Sequence, residues 1–317
     1  MATSTKHYIC HSYIPGSNLK PEQVAKIDFN KITHTNIAFS LLEKNDEGFY
    51  VPTLTDSVRA GIALVLEEIK RQGADSKVLI SIGGWAASFF CEAASNAQSR
   101  KAFADQCLVL LEETGIQGID IDWEYPGIDG GGVISACPNC KTDFIALCKA
   151  VRKAIGRDYL LTIAVGSHLS RDLDYSQLND DFDYINVMTY DMAKINHSSF
   201  FRSTFSMRFW ARSGFDKSKL VLGVPFYARS RKEEHSGKGY DQLMALVKAG
   251  KARLKKSKNQ DLVILEDGEK LGIDTPESIS RKGQWVKKHG FGGLFNWQEL
   301  TDVDGELRAA MYKSLYE

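Results

Sequence analysis

Residues 118–126 read Gly-Ile-Asp-Ile-Asp-Trp-Glu-Tyr-Pro. Side chains on an extended strand alternate between its faces, so Asp120, Asp122 and Glu124 share one face and Ile119, Ile121 and Trp123 the other. Same-face neighbours lie about 6–7 Å apart, twice the rise per residue. Three carboxyls this close, shielded from water, cannot all ionise cheaply, so at least one should stay protonated to an unusually high pH. A carboxyl protonated near neutrality is a general acid. Two readings compete with that chemistry: buried acids merely satisfied by hydrogen bonds, and a divalent-metal site. Folding alone does not favour three acids in an interior that Val, Ile and Leu ordinarily fill. Metal sites usually gather ligands from several strands, whereas these acids stack on one, and His168 is a lone loop histidine beyond another strand pattern. The expectation is therefore no metal and no cofactor.

Aromatic residues end several other apolar runs. Trp85 closes Ser81-Ile-Gly-Gly-Trp, Tyr190 stands in Met188-Thr-Tyr-Asp, Tyr227 in Pro225-Phe-Tyr and Trp297 in Phe295-Asn-Trp. One aromatic at a strand end is ordinarily core. Four gathered beside the carboxyls would form a stacking platform for something flat and partly apolar, a sugar ring or a nucleobase.

Such residues meet only if their strands converge. Short apolar runs bounded by Gly, Pro or Asp predict eight strands: 7–14, 31–41, 77–84, 118–124, 160–166, 182–190, 220–227 and 291–297. Helical spacing falls between them at 55–71, 99–113 and 144–155, with later helices at 207–213, 276–289 and 305–315. Eight strand-then-helix units require parallel strands with helical crossovers. An open doubly wound sheet and a closed (β/α)8 barrel both satisfy this. No GxGxxG follows the first strand, which removes the main sign of a dinucleotide fold, and the length suits a barrel with insertions. We therefore expect one (β/α)8 barrel domain over 1–317, with the acids pointing inward and Glu124 at the C-terminal mouth, where barrel active sites lie. Residues 230–274 break the alternation as a short insertion after the seventh strand, with one helix pattern at 240–247. The basic run around Lys248–Lys258 reads as a solvated helix face.

Composition narrows the partners. The 317 residues are 43% apolar and 25% charged, as in ordinary globular chains, and 40 basic residues balance 40 acidic ones. A neutral chain has no electrostatic footprint for nucleic acid or acidic membranes, which argues against a polynucleotide on the aromatic platform. Apolar stretches such as Val78–Ile82 are strand-sized, too short to span a bilayer. No apolar leader follows Met1, so no signal peptide is visible; the expectation is a cytoplasmic monomer, or a secreted one if a leader was trimmed. Six cysteines are too few for a disulfide framework. Cys10, Cys91, Cys107 and Cys148 read as buried thiols. Cys137 and Cys140 form a lone CxxC without a zinc partner set, read as two thiols in preference to a local disulfide.

Taken together, these residues resemble family 18 glycoside hydrolases, the chitinase family. The resemblance is carried by Ser81-Ile-Gly-Gly-Trp85, Gly118-Ile-Asp-Ile-Asp-Trp-Glu124, Met188-Thr-Tyr-Asp191, Gly223-Val-Pro-Phe-Tyr-Ala-Arg229 and Gly292-Gly-Leu-Phe-Asn-Trp297, in the family's order across most of the chain. It implies substrate-assisted hydrolysis outside the usual two-carboxylate scheme. Glu124 would protonate the glycosidic oxygen, and the substrate's own 2-acetamido carbonyl would attack the anomeric carbon to form an oxazolinium ion with retention. Asp122 would accept the acetamido N–H, Asp120 would share a proton with Asp122, and Tyr190 would hold the acetamido oxygen. Trp297 would floor the subsite of the distorted sugar, with Phe39 and Met188 as walls and Trp85 stacking a sugar on the leaving-group side. Asp191, Tyr227 and Arg229 would be polar contacts.

The chain also departs from the family pattern. Gln117 replaces an acid seven residues before Glu124, Met-Ala-Lys-Ile-Asn follows Asp191 in place of a common groove wall, and Ala228 replaces a usual Gly. The insertion after the seventh strand is shorter than the family's α+β insertion domain, which implies a more open groove and internal cleavage. Cys10 matches a common first-strand cysteine, but Ile32 stands at its partner position, so that disulfide should be missing. The substrate implied is chitin or another oligo- or polysaccharide of N-acetylglucosamine. An endo-β-N-acetylglucosaminidase or peptidoglycan hydrolase would use the same acids. A sugar-binding lectin on the same barrel ordinarily lacks one of the acids, and all are present here.

Overall fold

Eight parallel strands close into a ring in the computed structural model, which describes residues 7–85, 87–127, 138–167 and 175–317. They are β1 (Ile9–Pro15), β2 (His34–Lys44), β3 (Lys77–Gly83), β4 (Gly118–Asp122), β5 (Leu160–Gly166), β6 (Tyr184–Met188), β7 (Leu220–Pro225) and β8 (Gly293–Trp297). Each pairs in parallel with the next, and β8 returns to β1. All eight expected strands form, and the (β/α)8 barrel is the fold. Beyond the barrel, β2 runs on to pair antiparallel with Tyr50–Thr53.

The helices begin and end where local chemistry stops the backbone. Helix Asp56–Gln72 starts at Thr55, whose hydroxyl accepts from Val58 N, and ends at Gly73 in the left-handed conformation. Its buried stripe of Val58, Ile62, Val65 and Ile69 repeats at helical spacing. Helix Ala97–Thr114 is capped by Asn96 and closed by Gly115, and Pro276–His289 is capped by Thr275 and closed by Gly290. Helix Phe200–Arg212 begins seven residues before the expected 207–213. Its first turns bury Ser203, Thr204 and Ser206 while Phe201 and Phe205 are exposed, so the apolar spacing there does not mark the buried face.

Residues after β7 form more than a helix and loops. Helix Tyr240–Lys248 is followed by strands Ala252–Lys255, Asp261–Leu265 and Lys270–Ile273, which join Arg229–Ser230 in a four-stranded antiparallel sheet. The solvated-helix reading of the basic run is therefore corrected. Past Lys248 the chain turns into an edge strand on which Arg253 and Lys255 point to water, the placement that keeps an open edge from pairing with other chains.

Between barrel and helices lies the apolar core that the strand alternation implies. Ile119 and Ile121 are fully buried, and Trp123 stacks on Phe90 at 5.1 Å and meets Phe144 edge-on at 5.8 Å. The barrel interior is mixed. Ile9, Tyr13, Ala164, Met188, Val221 and Phe295 form its apolar cluster, interleaved with buried His11, Asn36, Ser81, Asp120, Thr162 and Asn186.

Cys10, Cys107 and Cys148 are buried as expected, and burial pushes the Cys10 thiol up to about 12. Cys91 is only partly buried, since the short helix Phe90–Ala94 turns Phe90, Ala93 and Ala94 inward, and its sulfur is 3.3 Å from that of Cys140. Cys140 is disulfide-bonded, which corrects the two-thiol reading; CxxC spacing permits either state. Cys137 and His168 lie outside the described residues.

Candidate active site

β4 places its acids in depth order. Asp120 is fully buried and receives hydrogen bonds from Tyr13 Oη at 2.9 Å, Ser81 Oγ at 2.7 Å and Thr162 Oγ1 at 2.5 Å. Burial raises its pKa, and those donors partly offset the rise. Asp122, one layer higher, is 4% exposed, and its Oδ1 has no hydrogen-bond partner among the described residues. Burial, then the charges of Glu124 and Asp120, holds Asp122 protonated far above the usual carboxylate range. Glu124 lies two positions past the strand's last residue, Asp122, and opens on the pocket. Burial pushes its pKa up to about 7, with Asp191 adding to the rise and a hydrogen bond from Tyr125 opposing it.

Above the acids is a pocket of about 720 Å³. Asp122, Glu124, Tyr190, Trp297, Trp85, Phe39, Met188, Asp191, Tyr227 and Arg229 all line it. Asp120 alone of the expected site residues does not, because it sits beneath Asp122 as a support.

The walls are aromatic and interlocked. Trp297 stacks on Phe39 with centroids 5.4 Å apart and meets Tyr13 edge-on at 6.0 Å. Tyr190 is held edge-on by Tyr227 at 6.2 Å and by fully buried Phe295 at 6.0 Å. Trp85 is 69% exposed at the rim, a ring with an open face. Opposite lies one strong ion pair: Arg229 Nε is 2.6 Å from Asp191 Oδ1 and its Nη2 is 2.7 Å from Oδ2, with the guanidinium 5.4 Å from the Tyr227 ring centre. Desolvation alone would raise the Asp191 pKa, but the arginine and buried His197 hold it below the ordinary range, so Asp191 remains an anion. Among the described residues no group of three or more His, Cys, Asp or Glu could hold a metal ion.

Several contributors were not singled out from the residues. Tyr125 lines the pocket beside Glu124, and Tyr13, Thr162 and Asn186 surround Asp120. Tyr125 adjoins Glu124 in the strand motif, which is a usable signal. A single polar residue inside an apolar strand gives none, because its meaning comes from neighbours 42 to 107 positions away.

This arrangement pairs a carboxylic acid protonated near neutrality with a second, buried proton carrier under an aromatic cleft. The sequence family described as glycosyl hydrolases family 18 matches residues 11–302. The chain is 28% identical to "Chitinase 1" of Aphanocladium album over 357 aligned residues, covering 94% of this chain and 81% of that one. Among solved structures, a family 18 N-acetylglucosaminidase from Paenibacillus barengoltzii aligns with a TM-score of 0.83 at 27% identity, covering 98% of this chain and all of that one (100%). A class V chitinase from Nicotiana tobaccum, in complex with NAG4, aligns at 0.83 and 21% identity, covering 98% and 99% of the two chains, a likeness of fold.

Proposed function

This chain belongs to glycosyl hydrolases family 18 and is a glycosidase; from that premise we propose that it cleaves β-1,4-linked N-acetylglucosamine chains with retention, assisted by the substrate's own acetamido group. The observation that carries this reading is Glu124, a pocket carboxyl with a pKa of about 7, backed by a protonated and buried Asp122. Glu124 donates its proton to the glycosidic oxygen as the bond to the leaving sugar breaks. The acetamido carbonyl attacks the anomeric carbon while the acetamido N–H donates a hydrogen bond to Asp122, whose Oδ1 has no partner among the described residues. Asp120 shares the proton of Asp122, and Tyr190 holds the acetamido oxygen. Trp297, Phe39 and Met188 enclose the distorted sugar, and Trp85 carries a sugar on the leaving side. Water then opens the oxazolinium ion, and the Glu124 carboxylate takes a proton from that water, which restores the acid.

The test is incubation with chitotetraose and, separately, a high-mannose glycopeptide, with products read by mass spectrometry. Release of chitobiose from the first supports the proposal. Cleavage of the glycopeptide alone moves the substrate to N-glycans, and binding without cleavage of either favours a lectin. Glu124→Gln should keep sugar binding and lower turnover by at least ~10²-fold. Undiminished turnover in that variant would overturn the assignment, as would efficient cleavage of cello-oligosaccharides, which lack the acetamido group.

A further inference from the structure

His11 begins a chain of hydrogen bonds that ends on Asp120. It points into the barrel from β1, one layer below Tyr13, and its Nδ1 is 3.2 Å from Asn186 Oδ1. The Asn186 amide nitrogen is 3.0 Å from the Tyr13 hydroxyl and 3.5 Å from Asp120 Oδ1, and Tyr13 reaches Asp120 Oδ2 at 2.9 Å. Each link has one workable direction. Asn186 must turn its NH2 toward the Asp120 carboxylate, since its carbonyl oxygen there would face like charge. Its own Oδ1 then faces His11, which must supply a hydrogen from Nδ1. Tyr13 receives the Asn186 N–H on its oxygen, which frees the phenolic hydrogen for Asp120.

We propose that His11 is a positioning residue for the reaction: its Nδ1–H locks the Asn186 amide, and through Tyr13 this keeps Asp120 a pure acceptor, so that the proton shared by the two aspartates rests on Asp122. The proposal rests on the reading above, that this pair of aspartates serves hydrolysis. The ring is pinned for the task, stacked on Tyr13 at 5.2 Å and flanked by His34 at 5.9 Å and Phe295 at 6.4 Å. The titratable groups that face it are Tyr13 on its own strand and His34 on β2. Burial, with His34 adding, holds the imidazole of His11 neutral down to a pKa of about 3, so it carries a single hydrogen to place. Among the described residues, the three bonds that reach Asp120 within 3.0 Å all come from hydroxyl donors, which suits an anion.

The test compares His11→Leu, which has no donor, with His11→Asn, whose amide nitrogen can occupy the place of Nδ1. Two readouts are taken on the full chain: the ¹³C titration of the aspartate carboxyls without substrate, and the pH profile of kcat/KM on chitotetraose. In His11→Leu the Asn186 Oδ1 loses this donor, so only the Asp120 charge still favours the amide's native orientation, and the turned orientation, which draws away the Tyr13 hydrogen, gains population. The Asp120 midpoint should then rise by about one pH unit, and the acidic limb of kcat/KM should follow it. His11→Asn should leave both where they are. Equal shifts in the two variants, or a shift in neither, would overturn the proposal. Should His11→Leu fail to fold, His11→Gln, which places its amide at Nε2 instead, must show the same rise. The carboxyl titration needs no turnover, so it is independent of the functional reading, whose own failure would show as undiminished turnover in Glu124→Gln.

Discussion

Gly83 and Asp122 are register partners across β3 and β4, so close that a Cβ on residue 83 would stand 2.2 Å from the Asp122 carbonyl oxygen. Gly83 also has φ +121, a conformation other residues rarely adopt, and the next amide, Gly84 N, donates to that same oxygen at 2.9 Å. The backbone behind the central aspartate is therefore seated by the absence of a side chain. Gly83→Ala should displace Asp122, lowering kcat/KM by at least ~10²-fold with circular dichroism near that of the parent protein. Full activity in the alanine variant would show that β4 tolerates the shift.

Glu124 is tuned from two sides, and the two can be separated. As a general acid it works while protonated, so kcat/KM should fall as pH rises through about 7. Asp191→Asn removes a neighbouring anion, lowers the Glu124 pKa and should move that basic limb to lower pH. Tyr125→Phe removes a donor to the ionised carboxylate and should move it to higher pH. Shifts in the same direction would mean that Glu124 does not set the limb.

The raised pKa of Glu124 has a consequence for stability. Its folded value of about 7 lies above its ordinary 4.5, so protonation favours the folded state. That contribution is fully present below pH 4.5 and is lost as pH rises to 7. Above 7 the parent protein holds an ionised carboxylate in a partly shielded site, whereas Glu124→Gln does not. The variant should gain on the order of 3 kcal/mol relative to the parent between pH 4 and pH 8. Thermal unfolding at those two values checks this, and a pH-independent difference would rule it out.

The barrel and the acids were legible because each leaves a periodic trace. Alternation along 118–124 separates Ile119, Ile121 and Trp123 from the acids, and the helices facing Trp123 repeat their apolar residues at helical spacing. The sheet after β7 left no such trace: its edge strand Ala252–Lys255 alternates small or apolar with basic residues over only four positions. The first turns of helix Phe200–Arg212 carry no helical signal in the sequence, because their exposed phenylalanines and buried serines and threonines invert the usual pattern. The donors around Asp120 were hidden for another reason. Tyr13, Thr162 and Asn186 come from three strands and acquire a role only when closure of the barrel brings them onto one carboxylate.

Arg229 belongs to two structures at once. Its backbone pairs with Gly272 as the first position of the sheet that follows β7, while its guanidinium clasps Asp191 in the pocket. That excursion is therefore not an ornament that can be trimmed or traded freely between relatives. A graft that replaced it without an arginine at the junction would leave the Asp191 charge beside Glu124 with His197 but without its guanidinium partner. The acidity of the pocket would then report how faithfully the graft was joined.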